Sequence, residues 1–173
     1  SNGRKVAIKE LLVNQEGLAI KDRNGNVVVV TSSMNQELFN ALRAKFKKEA
    51  LRLTHFVHPN LVKVNDFFEE NETAYYTMQY IEGESLKKKL NREGAFLEKL
   101  VLDYTRQVLS ALEVVHREKV WHLDIKPDNI MVDEKDNIYL IDFGASKHIE
   151  KSGKLTTSLD LTYTPSFCAP EMT

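Results

Sequence analysis

The sequence predicts an α+β fold in two parts: a small antiparallel sheet carrying one long helix, then a mainly helical part. Three observations predict it. Short runs of β-branched and aromatic residues come in pairs separated by polar turns. Apolar residues recur at three- and four-residue steps over two long stretches, 38–53 and 97–115. Most of the paired β-runs fall in the first half of the chain, and the second helical stretch falls in the other half.

Composition narrows the functional classes. With 173 residues, 42% hydrophobic and 28% charged, the chain can bury a core in one domain or two small lobes. A net charge of −1 gives no electrostatic case for nucleic acid or an anionic membrane. Cys168 is the one cysteine, which excludes an internal disulfide and fits a reducing compartment. No apolar run approaches the roughly 18 residues that span a bilayer, and no signal-peptide pattern opens the chain. The expected location is cytoplasmic.

Taken in order, Lys5-Val6-Ala7-Ile8-Lys9 alternates as a half-buried strand, with Ala7 and Lys9 on one face and Val6 and Ile8 on the other. A surface lysine on an edge strand is the plain alternative for Lys9. Gly17 to Thr31 places Leu18-Ala19-Ile20 and Val27 to Val30 around an Asn-Gly pair, the signature of a hairpin turn with positive φ. From Gln36 to about Phe56 a helix is expected, with Leu38, Leu42, Phe46, Ala50 and Leu53 on its apolar face. Glu49 falls on that face, where a carboxylate needs a cationic partner or a wet cleft. Glu37 lies on a nearby face but earlier in the helix.

His58-Pro59-Asn60 stops the helix. Leu61 to Phe68 and Ala74 to Ile81 read as two strands joined by residues 69–73, and they complete the small sheet. Tyr75, Tyr76 and Tyr80 have no basic residues interleaved with them, so they read as sheet packing and not as a nucleic-acid platform. Gly83 is expected to let the chain turn into a helix capped by Ser85. Leu97, Leu100, Val101, Tyr104, Val108, Ala111, Leu112 and Val115 then predict a core helix.

Chemistry concentrates between Trp121 and Gly144. Ile130-Met131-Val132 and Ile138-Tyr139-Leu140-Ile141 form a hairpin around Asp133 to Asn137. Folding it brings Asn129, before the first strand, near Asp142, after the second. Hard oxygen groups of this kind suit Mg²⁺, which takes its remaining ligands from water and phosphate. Asp124 and Lys126 stand in one tight loop beside them, able to orient a hydroxyl and to stabilise charge in transfer. The outline is that of a phosphoryl-transfer site.

These residues also resemble a known family. His122-Leu123-Asp124-Ile125-Lys126-Pro127-Asp128-Asn129 is similar to the catalytic loop of eukaryotic-type serine/threonine protein kinases. Asp142-Phe143-Gly144, Ala169-Pro170-Glu171 and Val6-Ala7-Ile8-Lys9 resemble three further motifs of that family, in the family's order. The resemblance runs from Lys5 onward, and the His-Leu-Asp-Ile-Lys-Pro form looks most like bacterial members.

The resemblance implies a bilobal fold: an N-lobe over 4–78, a hinge over 79–83, and over 84–173 the first part of a C-lobe. It implies ATP as phosphate donor, Mg²⁺ as cofactor, and protein substrates with a serine or threonine hydroxyl. Asp124 would be the catalytic base and Lys126 the stabiliser of the transferring group. Lys9, paired to Glu49, would bind the nucleotide phosphates. Asn129 and Asp142 would hold the metal, and Thr164 would brace Asp124. Ala7 and Met131 would sandwich the adenine, with Met78 as gatekeeper and Gln79 to Ile81 as hinge backbone. His122 would pack under the metal-binding loop.

Four departures shape further expectations. No glycine-rich loop precedes Val6, and the chain stops just after Glu171. A chain truncated at both ends is expected to be nearly inactive by itself and prone to self-association through an uncovered apolar patch. Tyr163 stands where glycine is commoner in the family, and Leu123 replaces the arginine that usually precedes the catalytic aspartate. Leucine cannot receive a phosphate on the segment carrying Thr156, Thr157, Ser158 and Thr162, so phosphorylation there is not expected to be needed. Two rival readings remain: a nucleotide-binding pseudokinase or regulatory module, and a small-molecule phosphotransferase. The second gives no reason for Lys126 or for the Thr164 to Glu171 segment.

Overall fold

Alternation sets the first strand, β1 (Val6–Glu10): Val6 and Ile8 point to solvent while Ala7 and Lys9 are half-buried. The computed structural model describes residues 3, 5–11, 18–25, 27–143, 147–148 and 167. The hairpin expected at Gly17 to Thr31 is β2 (Ala19–Lys21) and β3 (Val28–Val30), paired antiparallel. Gly25 sits at φ +73°, and Asp22 closes the turn by accepting from the Val27 amide at 3.1 Å.

Helix α1 (Ser33–Leu53) begins three residues before the expected start and ends three before the expected end. The Ser32 side chain caps it by accepting from the Asn35 amide, a signal that apolar spacing does not carry. Its buried face is Phe39, Phe46, Ala50 and Leu53, so Phe39 takes the innermost place expected for Leu38. Then follow β4 (Val64–Glu70) and β5 (Thr73–Gln79), both shorter than their expected spans. Two residues join them, Asn71 and Glu72, both at positive φ as a type I′ turn requires. The sheet order is β1-β5-β4, antiparallel throughout. Phe46 of α1 packs on Tyr76 of β5, with ring centroids 5.0 Å apart.

The chain divides into two units, Ser1–His55 with Lys63–Tyr80, and Phe56–Val62 with Ile81–Thr173. The segment Phe56–Val62 therefore belongs with the second unit.

There, β6 (Gly83–Ser85) runs beside β8 (Ile130–Asp133), which pairs with β9 (Ile138–Leu140), giving the order β6-β8-β9. The short strand β7 (Val120–Trp121) pairs with β10 (Lys147–His148). Gly83 is required by close approach and not by a turn: a Cβ there would come within 2.1 Å of the Val132 carbonyl oxygen. Ser85 caps α2 (Leu86–Glu93), accepting from the Lys88 amide, and Gly94 ends it at φ +78°.

Helix α3 (Glu98–Arg117) buries Tyr104, Ala111 and Val115, a narrower stripe than expected. Leu97, the N-cap residue, and Val101 are exposed. The Tyr104 hydroxyl donates to Asp136 Oδ1 at 2.5 Å, tying α3 to the β8–β9 turn. Within that turn Asp133 Oδ1 accepts from the amides of Lys135 and Asn137. Among the described residues no helix is long and apolar enough to cross a membrane.

Candidate active site

The site residues of the second unit are built on the β8–β9 hairpin and the loop before it. Pro127–Asn129 form one 3₁₀ turn whose last residue, Asn129, is buried. Its side-chain NH₂ donates to the Asp124 carbonyl at 2.9 Å and to Asp124 Oδ2 at 2.7 Å. Lys126 Nζ meets the same Oδ2 at 2.8 Å. Two donors converging on one oxygen fix the orientation of this half-buried carboxylate, and the cationic one makes its bond charge-assisted.

His122 is 2% exposed and holds the loop from beneath. Its Nε2 lies 3.1 Å from the Ile141 carbonyl, which can only accept, so Nε2 carries the proton. Nδ1 then accepts from the Asp124 amide at 3.3 Å. Burial pushes the imidazole pKa below its ordinary value, outweighing the pull of the Ile141 carbonyl and of Asp142 and Asp124. The ring packs on Phe143, centroids 4.5 Å apart. His122 thus bonds beside two backbone kinks, Leu123 at φ +61° and Asp142 at φ +59°. A leucine in this region costs roughly 1–2 kcal/mol, and such strain persists where its surroundings over-determine it.

The Ile141 amide donates to the Asn129 carbonyl at 3.0 Å, which brings Asp142 to the end of the hairpin where Asn129 lies. Asn129 directs its NH₂ to Asp124, leaving its oxygen as a hard donor, and Asp142 adds a carboxylate. Among the described residues no group of three or more His, Cys, Asp or Glu could hold a metal alone. This donor set fits Mg²⁺, which takes few protein ligands and completes its shell with water and phosphate oxygens. Met131 stands half-buried on β8, opposite Ser85 and Tyr139.

In the first unit, Lys9 is the direct cross-strand partner of Tyr76, and its Nζ lies 5.7 Å from that ring's centroid. Phe46 packs on the same Tyr76, and Glu49 is one helical turn beyond Phe46, with its Oε1 oxygen buried. Tyr76 is therefore the common floor for the strand bearing Lys9 and the helix turn bearing Glu49. Ala7 pairs with Met78 across the sheet, and Gln79 ends β5 in the open. Ile81 is buried in the second unit. Thr164, Gly144 and the Ala169-Pro170-Glu171 motif lie outside the described residues.

The chain matches the family model described as "Protein kinase domain" over residues 3–173, and it belongs to the protein kinase family. Among its relatives is mitogen-activated protein kinase kinase kinase ANP1 of Arabidopsis thaliana, 34% identical over 157 residues, 91% of this chain and 23% of that protein. Serine/threonine-protein kinase PrkC of Bacillus subtilis is 36% identical over 105 residues, 61% of this chain and 16% of that protein. A solved structure described as "PpkA-294 apo form" superposes with a TM-score of 0.72 at 32% identity, covering 82% of this chain and 50% of that one. The chain thus spans about a quarter or less of these curated relatives and half of the matched structure. Plant and bacterial kinases match at similar identity, and the fold is protein-kinase-like.

Sequence reading missed two residues beside this site, Asn60 and Gln107. Asn60 reads as part of a helix stop. Gln107 was available to sequence reading: it falls between Tyr104 and Ala111 on the inner face of α3, where a polar residue needs a partner.

Proposed function

We propose that the protein containing this chain transfers the γ-phosphate of ATP to serine or threonine hydroxyls of protein substrates. The observation that carries the reading is the Asp124 carboxylate, held by Asn129 at 2.7 Å and Lys126 at 2.8 Å. Asp124 accepts or orients the substrate hydroxyl as general base. Lys126, tied to that carboxylate, stands where it can offset charge on the transferring group. A lysine at this point of the loop favours serine or threonine as acceptor.

Asn129 and Asp142 would hold Mg²⁺, which supplies charge compensation at the phosphate oxygens when bound. Lys9 and Glu49 bind and orient the nucleotide phosphates. Ala7, Met78, Gln79, Ile81 and Met131 are the residues this reading assigns to adenine recognition. His122 stays neutral and structural: a buried imidazole whose two nitrogens are both committed is no base. A cytoplasmic site of action, where ATP and Mg²⁺ are abundant, is part of the proposal.

The test is Asp142→Ala in the full-length protein, reading phosphate incorporation from Mg-ATP. Loss of the metal's charge compensation should cost several kcal/mol, a fall of about a thousandfold or more. Near-wild-type incorporation would remove Asp142 from the site.

A further inference from the structure

Strand β9 carries the chain to Asp142, and Ile138 and Leu140 within it are fully buried. Buried backbone groups need partners, so the outer edge of β9 can be accounted for group by group. Its inner edge is spent on β8. On the outer edge the Leu140 amide donates to the Asn60 carbonyl at 2.9 Å, and the Leu140 carbonyl accepts from the Val62 amide at 3.1 Å. The segment Asn60–Val62 thus acts as a short parallel strand.

That ladder stops short of Ile138, because the Asn60 amide, which would have continued it to the Ile138 carbonyl, donates to His58 Nδ1 at 3.1 Å instead. Side chains finish what the backbone cannot. Gln107 Oε1 accepts from the Ile138 amide at 3.0 Å, and Asn60 Nδ2 donates to the Ile138 carbonyl at 2.9 Å. Asn60 Nδ2 also donates to Gln107 Oε1 at 2.8 Å. Gln107 Nε2 donates to the Asp136 carbonyl at 3.2 Å and to Asp103 Oδ2 at 3.1 Å. The network fixes which way the Gln107 amide points, because a flip would set NH₂ against two donors. One turn further along α3, Ser110 Oγ lies 3.1 Å from His58 Nε2, while His58 Nδ1 accepts from the Asn60 amide at 3.1 Å.

We propose that Asn60 and Gln107 are positioning residues: their paired side-chain amides replace a strand at Ile138 and so hold Asn129 and Asp142 at a fixed separation. The connection is short. Ile138 is four residues before Asp142, and the Ile141 amide bonds the Asn129 carbonyl. A hairpin loosened at Ile138 would let its two ends drift, and the oxygens of Asn129 and Asp142 with them. The consequence for catalysis rests on the kinase reading above; the clamp itself does not.

The experiment compares wild type, Gln107→Leu and Gln107→Glu in the full-length protein. Leucine leaves the Ile138 amide and one of the two Asn60 side-chain N–H groups without their acceptor, whereas glutamate keeps the accepting oxygen. Two readouts are taken: amide hydrogen exchange at Ile138 and Ile141, and the Mg²⁺ concentration for half-maximal phosphoryl transfer. Gln107→Leu should speed exchange selectively at Ile138 and Ile141 and raise the Mg²⁺ requirement about 10- to 100-fold, the usual cost of losing an outer-shell support. Gln107→Glu keeps the acceptor but sets its second oxygen against the Asp136 carbonyl and Asp103 Oδ2, so both readouts should fall between wild type and Gln107→Leu.

Unchanged protection at those amides in folded Gln107→Leu overturns the clamp, as does exchange that rises evenly across the whole unit. An unaltered Mg²⁺ requirement overturns its positioning role. If Gln107→Leu does not fold, Asn60→Ala is read by the same criteria. A wild type without Mg²⁺-dependent transfer contradicts the kinase reading instead, and the exchange pattern still decides the clamp.

Discussion

The β2–β3 and β8–β9 hairpins are both antiparallel pairs closed by polar turns with an aspartate at the first corner, yet only one carries site residues. Strands β2 and β3 form a two-stranded sheet of their own, and the cross-strand pair Ile20 and Val29 is 58% and 46% exposed. Val28 is the one buried strand residue of that hairpin, whereas in β8–β9 the inward residues Ile130, Val132, Ile138 and Leu140 are all buried. One edge is covered by β6 and the other by Asn60–Val62 with the two amides. An isolated two-stranded ribbon is marginal in water. Groups that must hold oxygen atoms in place are mounted on the ribbon whose edges are both satisfied.

The comparison breaks most readily at its core. Ile138→Ala should destabilise the protein by about 2–5 kcal/mol, since a fully buried side chain leaves both lost transfer energy and a cavity. Val29→Ala, on the open face of the other hairpin, should stay within roughly 0.5 kcal/mol. Denaturant titration of the two variants checks this, and similar losses would show that the two hairpins are equally built in.

Two lysines sharpen the contrast within the first unit. Lys9 lies over the buried Tyr76 ring, while Lys21 of β2 pairs with Glu10 at 2.8 Å near the surface. Lys9→Met should lower kcat/KM on the order of 10²-fold, with KM for ATP raised and kcat reduced. Lys21→Met should leave the kinetics unchanged. Steady-state assays of the full-length protein distinguish them, and an unaffected Lys9→Met returns that lysine to the role of an ordinary surface cation.

The smallest expected effect concerns His122. Its pKa is lowered in the fold by burial, so the unfolded chain binds the extra proton more readily. The stability from the neutral, doubly bonded ring is therefore complete above the ordinary histidine value of about 6.5 and declines as pH falls below it. Unfolding midpoints measured from neutral to mildly acidic pH should slope downward in wild type and less steeply in His122→Asn. Equal slopes would remove His122 as the cause.

Most of the candidate site was legible because its chemistry is local: Asp124, Lys126 and Asn129 lie in one loop, so their spacing alone predicts convergence. The Asn-Gly pair likewise announced the β2–β3 turn. Less legible was the Asn71-Glu72 turn, because glutamate at positive φ is no turn signal. The start of α1 depends on a serine cap outside the apolar repeat, and Gly83 answers to a backbone across a sheet that one strand cannot reveal. Lys9 and Phe46 meet the same Tyr76 from two separate elements, and no sequence spacing encodes that. Asn60 and Gln107 meet across 47 positions at a strand edge that pairing rules leave open.

The most direct test replaces Asp124 by asparagine in the full-length protein and follows phosphate transfer from ATP to serine- and threonine-containing protein, with nucleotide binding measured alongside. Asparagine keeps the size but loses the basic oxygen pair that Lys126 and Asn129 orient. The account predicts that transfer falls about 10²- to 10⁴-fold while ATP binding is retained. Transfer near the wild-type rate in a folded Asp124→Asn protein would contradict it.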